Sequence, residues 1–248
     1  MKIVIFGGTT EGRELSGLLA NRGAEIVVSV ATDYGREEQG IQDGVTVVAG
    51  RRGRAEMSEL LYGAALCVDA THPYAVEASR NIRDACRDTR TPYRRLSREA
   101  SAVDANAVTV PDAAGAAAYL ETTAGNVLLT TGAKELRPYS VLDPSRLYAR
   151  ILPTHEGLSA CEAAGIPRRN VVAMRGPFSR ELNEALIRQY RIAYLVTKDG
   201  GSVGGFPEKA DAARNTGAVL VVIRRPADCG GNFAEIAAYC EGLLCREL

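Results

Sequence analysis

A short apolar run, Lys2-Ile3-Val4-Ile5-Phe6, ends on two glycines and passes directly into helical sequence, Gly7-Gly8-Thr9-Thr10-Glu11-Gly12-Arg13-Glu14-Leu15. A strand that stops on glycines and turns at once into a helix is how a parallel α/β sheet begins, since parallel strands need a crossover helix between them. Such a turn aims backbone N–H groups and the positive end of the helix dipole at an incoming anion. Gly7 and Gly8 permit close backbone approach, while Gly12 permits tight packing of the helix on the strand. Counted as G-x-G-x-x-G from Gly7, the segment has Thr9 where the middle glycine would stand. It therefore reads either as a nucleotide-phosphate site or as a tight strand–helix turn with no ligand.

The same alternation continues along the chain, with strands expected at 2–6, 25–31, 45–50, 66–71 and 91–97. Between them run helical stretches with apolar residues three and four apart, such as Leu15, Leu18 and Leu19, and a helix is expected over Tyr74 to Asp88. Residues 98–107 are polar and alanine-rich and read as a linker. The pattern then restarts, from NAVTV at 106–110 to VLVVIRR at 219–225, with Pro177 and Pro207 at plausible first-turn positions of helices. The expected fold is α/β: two Rossmann-like domains, 1–98 and 107–248, each a parallel sheet flanked by helices, with the active site in the interdomain cleft. At 248 residues the chain is long enough for either one large core or two small ones.

Bulk composition narrows the function classes. A net charge of zero argues against a nucleic-acid binder, and no apolar stretch is long enough to span a membrane. With no signal-peptide pattern at the start, the expected location is the cytoplasm. The six cysteines show no C-x-x-C spacing, so reduced, packed thiols are expected and no metal site. Arginine outnumbers lysine 26 to 4, which suits recognition of carboxylates or phosphates, although compositional bias gives the same count.

Ligands of such sheets bind at the carboxyl ends of strands, so chemistry is sought in those loops. After the second strand, Asp33 would favour NAD, whereas Thr32 and Arg36 would favour the 2′-phosphate of NADP; Arg51, Arg52 and Arg54 follow the third. After the fourth comes Asp69-Ala70-Thr71-His72-Pro73-Tyr74-Ala75, where His72 is either an acid/base group or a hydrogen-bonded structural residue. His155 has the same standing in the second half. The loop Thr197-Lys198-Asp199-Gly200-Gly201-Ser202, with Gly204 and Gly205 beyond it, puts a rare lysine beside a carboxylate. Lys198 reads as a cation for a substrate carboxylate, as a proton donor, or as half of a solvated Lys–Asp pair. Thr130-Thr131-Gly132-Ala133-Lys134 is a weaker loop of the same kind.

Three segments, GGTTEGREL at 7–15, DATHPYA at 69–75 and TKDGG at 197–201 with its downstream GGFPEKADAA, together resemble the precorrin-6A and cobalt-precorrin-6A reductase family of cobalamin biosynthesis. LLTTGAKEL at 128–136 and RILPT at 150–154 carry the resemblance almost end to end. It implies hydride transfer from NADPH to a double bond of a polycarboxylate, tetrapyrrole-derived macrocycle. It implies a cofactor site from Gly7, Gly8, Thr9, Thr10, Gly12 and Arg13 at the pyrophosphate, Thr32, Tyr34 and Arg36 at the adenosine end, and Thr71, His72, Pro73 and Tyr74 by the nicotinamide. Lys198 and Asp199, with His72, are then the expected catalytic groups, and a monomer or weak dimer is expected. Two other readings remain at this point: a reductase of another unsaturated acid, and a non-catalytic NADP-sensing module.

Overall fold

The computed structural model describes residues 1–97, 104, 106–201, 205–226 and 229–245. The chain divides into two compact units, Met1–Glu99 with Pro226–Leu248, and Ala100–Arg225. In the first, strands β1 (Lys2–Phe6), β2 (Glu25–Val30), β3 (Val45–Ala49), β4 (Leu66–Asp69) and β5 (Tyr93–Arg95) pair in parallel in the order β3-β2-β1-β4-β5. Helices α1 (Thr10–Ala20), α2 (Asp33–Gln39), α3 (Arg54–Leu61) and α4 (Val76–Thr89) make the crossovers. Ile3 and Ile5 of β1 pack with Leu15 and Leu19 of α1, and Val4 and Phe6 pack on the opposite face with Met57, Leu61 and Ile82. Both faces of the strand are buried, which is why β1 reads as a continuous apolar run rather than an alternation.

The second unit holds β6 (Val108–Val110), β7 (Asn126–Leu129), β8 (Leu147–Ile151), β9 (Val171–Ala173), β10 (Ile192–Lys198) and β11 (Val219–Ile223), parallel in the order β6-β11-β10-β7-β8-β9. Helices α5 (Ala113–Glu121), α6 (His155–Ala163), α7 (Arg180–Gln189) and α8 (Phe206–Thr216) flank it. Outward from β7 the order β9-β8-β7-β10-β11 repeats the winding of β3-β2-β1-β4-β5. Each sheet therefore has a switch point, between β1 and β4 and between β7 and β10, where a doubly wound sheet opens a crevice for ligand.

β6 edges the second sheet beside β11, within the half where the pattern restarts. The departure from the simple two-halves reading is at the other end: Gly231 forms a parallel bridge to Leu96, continuing the first sheet past β5. Helix α9 (Phe233–Leu244) then packs Ile236, Ala237 and Cys240 into the core around α1 and β1. The expected second domain of 107–248 is thus corrected: its last segment, from Pro226, belongs to the first unit, because the apolar face of α9 is buried there. Gly230 lets this return pass close to the sheet, since a Cβ there would lie 2.6 Å from Arg95 Cγ. Most of the expected linker, 98–103 and 105, lies outside the described residues, as do Ser202 and Gly204.

One local device recurs. Thr9, Thr32, Asp112 and Thr154 each cap a helix by accepting a hydrogen bond from the backbone N–H of a glycine three residues on: Gly12, Gly35, Gly115 and Gly157. The cap satisfies an orphan N–H, and the glycine lets the first turn settle against the preceding strand end. Gly12 is the tightest case within the first switch point, because a Cβ there would stand 2.8 Å from Ala70 Cβ. Gly12→Val is expected to destabilise the protein by about 1–3 kcal/mol through overpacking against β4. A lowered thermal midpoint in a melt of the purified variant checks this; an unchanged one contradicts it. Pro207 stands in the first turn of α8 as expected. Pro177 does not enter α7, whose cap is Ser179, and α4 begins at Val76 rather than Tyr74.

Candidate active site

At the first switch point β1 ends in the glycine turn. Gly7 N–H donates to Ser29 O at 2.8 Å, holding the turn against β2. Gly8 is exposed with φ +120, and nothing lies within 4 Å of the Cβ it lacks. Thr9 Oγ1 donates to Ala70 O at 2.9 Å while accepting from Gly12 N–H, so one hydroxyl ties the start of α1 to the end of β4. Thr9, Glu11, Thr71, Pro73 and Leu96 line a small recess there. The open backbone at Gly8 and the N-terminus of the 11-residue α1 fit the diphosphate of a dinucleotide. Thr10 follows the cap as the first residue of α1, and Arg13 is exposed, its Nη1 donating to Glu38 O.

Beyond β2, Thr32 caps α2 through Gly35 N–H, and Asp33, Tyr34 and Arg36 lie exposed on its first turn. Arg52 Nη1 reaches Ser29 Oγ at 3.3 Å, whereas Arg54 is committed to Asp88 through two hydrogen bonds. Of the three arginines after β3, the structure thus sets Arg54 in an ion pair away from the strand ends.

Beyond β4, a polar network fixes the loop. Asp69 is fully buried and accepts from Thr71 N–H, Thr71 Oγ1, Tyr93 OH and Arg95 Nη1, the last at 2.7 Å. Burial, reinforced by the Asp69 carboxylate, pushes the Tyr93 phenol well above its ordinary range, so it remains a donor. This anchors Thr71 and sets the turn that follows. His72 Nδ1 accepts from Tyr74 N–H at 3.4 Å, and the two rings stack at 5.5 Å. His72 and Tyr74 thus pack as neighbouring rings on the turn after β4. The motif DATHPYA contains Asp69, but its partners Tyr93 and Arg95 come from β5, invisible to local reading.

The second switch point separates the expected Lys198–Asp199 couple. Lys198, the last residue of β10, pairs through its Nζ with Glu135 Oε1 at 2.5 Å. Asp199 turns inward, nearly buried, where its carboxylate accepts from Gly201 N–H and pairs with Arg225 at 3.3 Å. The solvated Lys–Asp pair does not form. Glu135 Oε2 is buried without a hydrogen-bond partner, and so is Thr131 Oγ1 on the same loop. Buried polar atoms left in this state mark a place where water or ligand completes the site. Thr131 and Glu135 both lie in TTGAKEL; what the sequence did not give was which residue meets Lys198. His155 is exposed at the first position of α6.

The model of the family described as "Precorrin-6x reductase CbiJ/CobK" matches residues 2–241. The chain belongs to the precorrin-6x reductase family. Among its curated relatives is the cobalt-precorrin-6A reductase of Priestia megaterium, 33% identical over 90% of this chain and 90% of its own. The precorrin-6A reductase of Rhodobacter capsulatus is 32% identical over 91% of this chain and 88% of its own. A solved structure, "CobK precorrin-6A reductase", superposes with a TM-score of 0.77 at 28% identity, covering 98% of this chain and 97% of that one. The resemblance drawn from the motifs and the expected pair of parallel α/β sheets are both borne out. Among the described residues, no helix is long and apolar enough to cross a membrane.

Proposed function

We propose that this chain is an NADPH-dependent reductase of the precorrin-6A macrocycle or its cobalt form. Supporting this reading above all is the Lys198–Glu135 ion pair at a switch point of a precorrin-6x reductase family member. The cofactor, when bound, supplies the hydride. The Gly7–Gly8 backbone and the α1 N-terminus receive its diphosphate, with Thr9 and Gly12 holding that turn, and Thr10 and Arg13 beside it. Thr32, Tyr34 and Arg36 meet the adenosine end, where the Arg36 guanidinium takes the 2′-phosphate. Thr71, His72, Pro73 and Tyr74 give the nicotinamide a rigid wall, held in place through Asp69.

In this reading Lys198 Nζ supplies the proton that accompanies the hydride. Glu135, in contact with the ammonium, holds and aims it. Asp199, tied to Arg225 and Gly201, shapes the loop rather than carrying the proton, which moves it from the expected catalytic set to positioning. His72 likewise serves by shape. Much of the rate would come from holding donor and acceptor in contact.

Purified protein mixed with NADPH and precorrin-6A should oxidise NADPH in step with a change in the macrocycle spectrum, and NADH should support a far slower reaction. NADPH oxidation with an unchanged macrocycle spectrum rejects the reading.

A further inference from the structure

We infer that Arg150 and Lys209 form a built-in subsite for one carboxylate of the macrocycle, an inference that rests on the proposed function. Arg150 is the penultimate residue of β8 and only 5% exposed. Its Nη1 donates to the neutral Asn183 Oδ1 at 2.7 Å, and its guanidinium lies 3.9 Å from the centre of the Phe178 ring. No ion pair joins Arg150 to a carboxylate among the described residues. Buried guanidinium groups are nearly always paired, because the desolvation cost of an unpaired one is several kcal/mol. Among the described residues the charge has no carboxylate paired with it.

A second cation stands close by. Lys209, in the first turn of α8, is 9% exposed. Burial, with the charge of Arg150 adding to it and Glu208 opposing, pulls its ammonium down to about 8. Burial likewise lowers Arg150 to about 10. An arriving anion would balance the Arg150 charge, with the Lys209 ammonium close by. Asn183 holds one edge of the guanidinium and is itself fixed by the carbonyls of Phe178 and Ser179. That leaves the Nε–Nη2 edge, whose parallel N–H groups match the two oxygens of a carboxylate. β8 ends and α8 begins at the carboxyl edge of the second sheet, the edge that also carries Lys198, so a polycarboxylate is the ligand this edge suits. A phosphate has the same charge chemistry, and the test separates the two.

Arg150→Met and Lys209→Met are compared with the wild type by titration of precorrin-6A, titration of NADPH, and thermal melting of the ligand-free protein. Each variant should weaken macrocycle binding roughly 30-fold or more, the usual result of removing one side of a buried charged hydrogen bond. NADPH affinity should stay within about twofold. The ligand-free melting point of Arg150→Met should hold or rise, since an uncompensated buried charge has been removed. Unchanged macrocycle affinity in both variants overturns the subsite. So does a loss confined to NADPH, which would make it a phosphate site, or a drop of several degrees in melting point, which would make Arg150 structural. A wild type that fails to bind the macrocycle instead rejects the functional reading beneath it.

Discussion

Lys198→Met is expected to slow macrocycle reduction by about 100-fold or more, the usual contribution of a positioned general acid. NADPH affinity should be unchanged, because the cofactor contacts proposed here lie in the first unit. Methionine keeps much of the stem's length and apolar character while removing the ammonium and its 2.5 Å contact with Glu135. Single-turnover kinetics at saturating NADPH reads the chemical step directly. Wild-type turnover in Lys198→Met would discard the proton-donor role and leave Lys198 as a surface cation. If Glu135 aims the ammonium, Glu135→Gln falls between the two, because the neutral amide still reaches the lysine but no longer pairs with its charge.

The second large effect is one of stability. Asp69→Ala should cost about 3–5 kcal/mol, because Arg95, whose side chain is 9% exposed, loses its buried carboxylate. Tyr93 OH and both donors of Thr71 lose their shared acceptor in the same change. The urea midpoint of the purified variant should fall, and the turn bearing His72 should become sensitive to proteolysis. A midpoint equal to that of the wild type would show that the network contributes nothing net. Because Thr71, Pro73 and Leu96 line the recess beside Thr9, the same substitution should also weaken NADPH binding.

Much of the first unit was legible because its signals are local. β1 and its glycine turn announce themselves by a buried apolar run followed by residues that permit tight backbone geometry. The caps at Thr9 and Thr154 obey a four-residue rule, and the motifs at 69–75 and 197–201 fall at strand ends as expected. Side-chain partnership was not legible. Asp199 looked like the partner of Lys198 because it is adjacent in sequence, but the chain leaves β10 after Lys198 and Asp199 pairs with Arg225 instead. Glu135 lies 63 positions away and meets Lys198 only because β7 and β10 pair. The cap also tempers the opening motif: glycine at the third helical position recurs at Gly35, Gly115 and Gly157, so Gly12 speaks for packing rather than for phosphate. Gly7 and Gly8 carry the anion argument.

The domain boundary shows the same division. Nothing in the composition of 226–248 distinguishes a helix that closes its own domain from one that returns to another. α9 goes to the first unit because Ile236, Ala237 and Cys240 complete the core around Ile3, Leu15 and Leu19, and because Gly231 extends the sheet at Leu96. By itself the sequence determined the elements, the two sheets, the glycine turn and the family, all of which depend on residues close in the chain or on motifs in order. Tertiary structure alone decided which unit owns the last helix, which carboxylate meets Lys198, and that Arg150 is buried with none paired to it among the described residues. Those are matters of burial and strand order, and chain neighbours do not carry them.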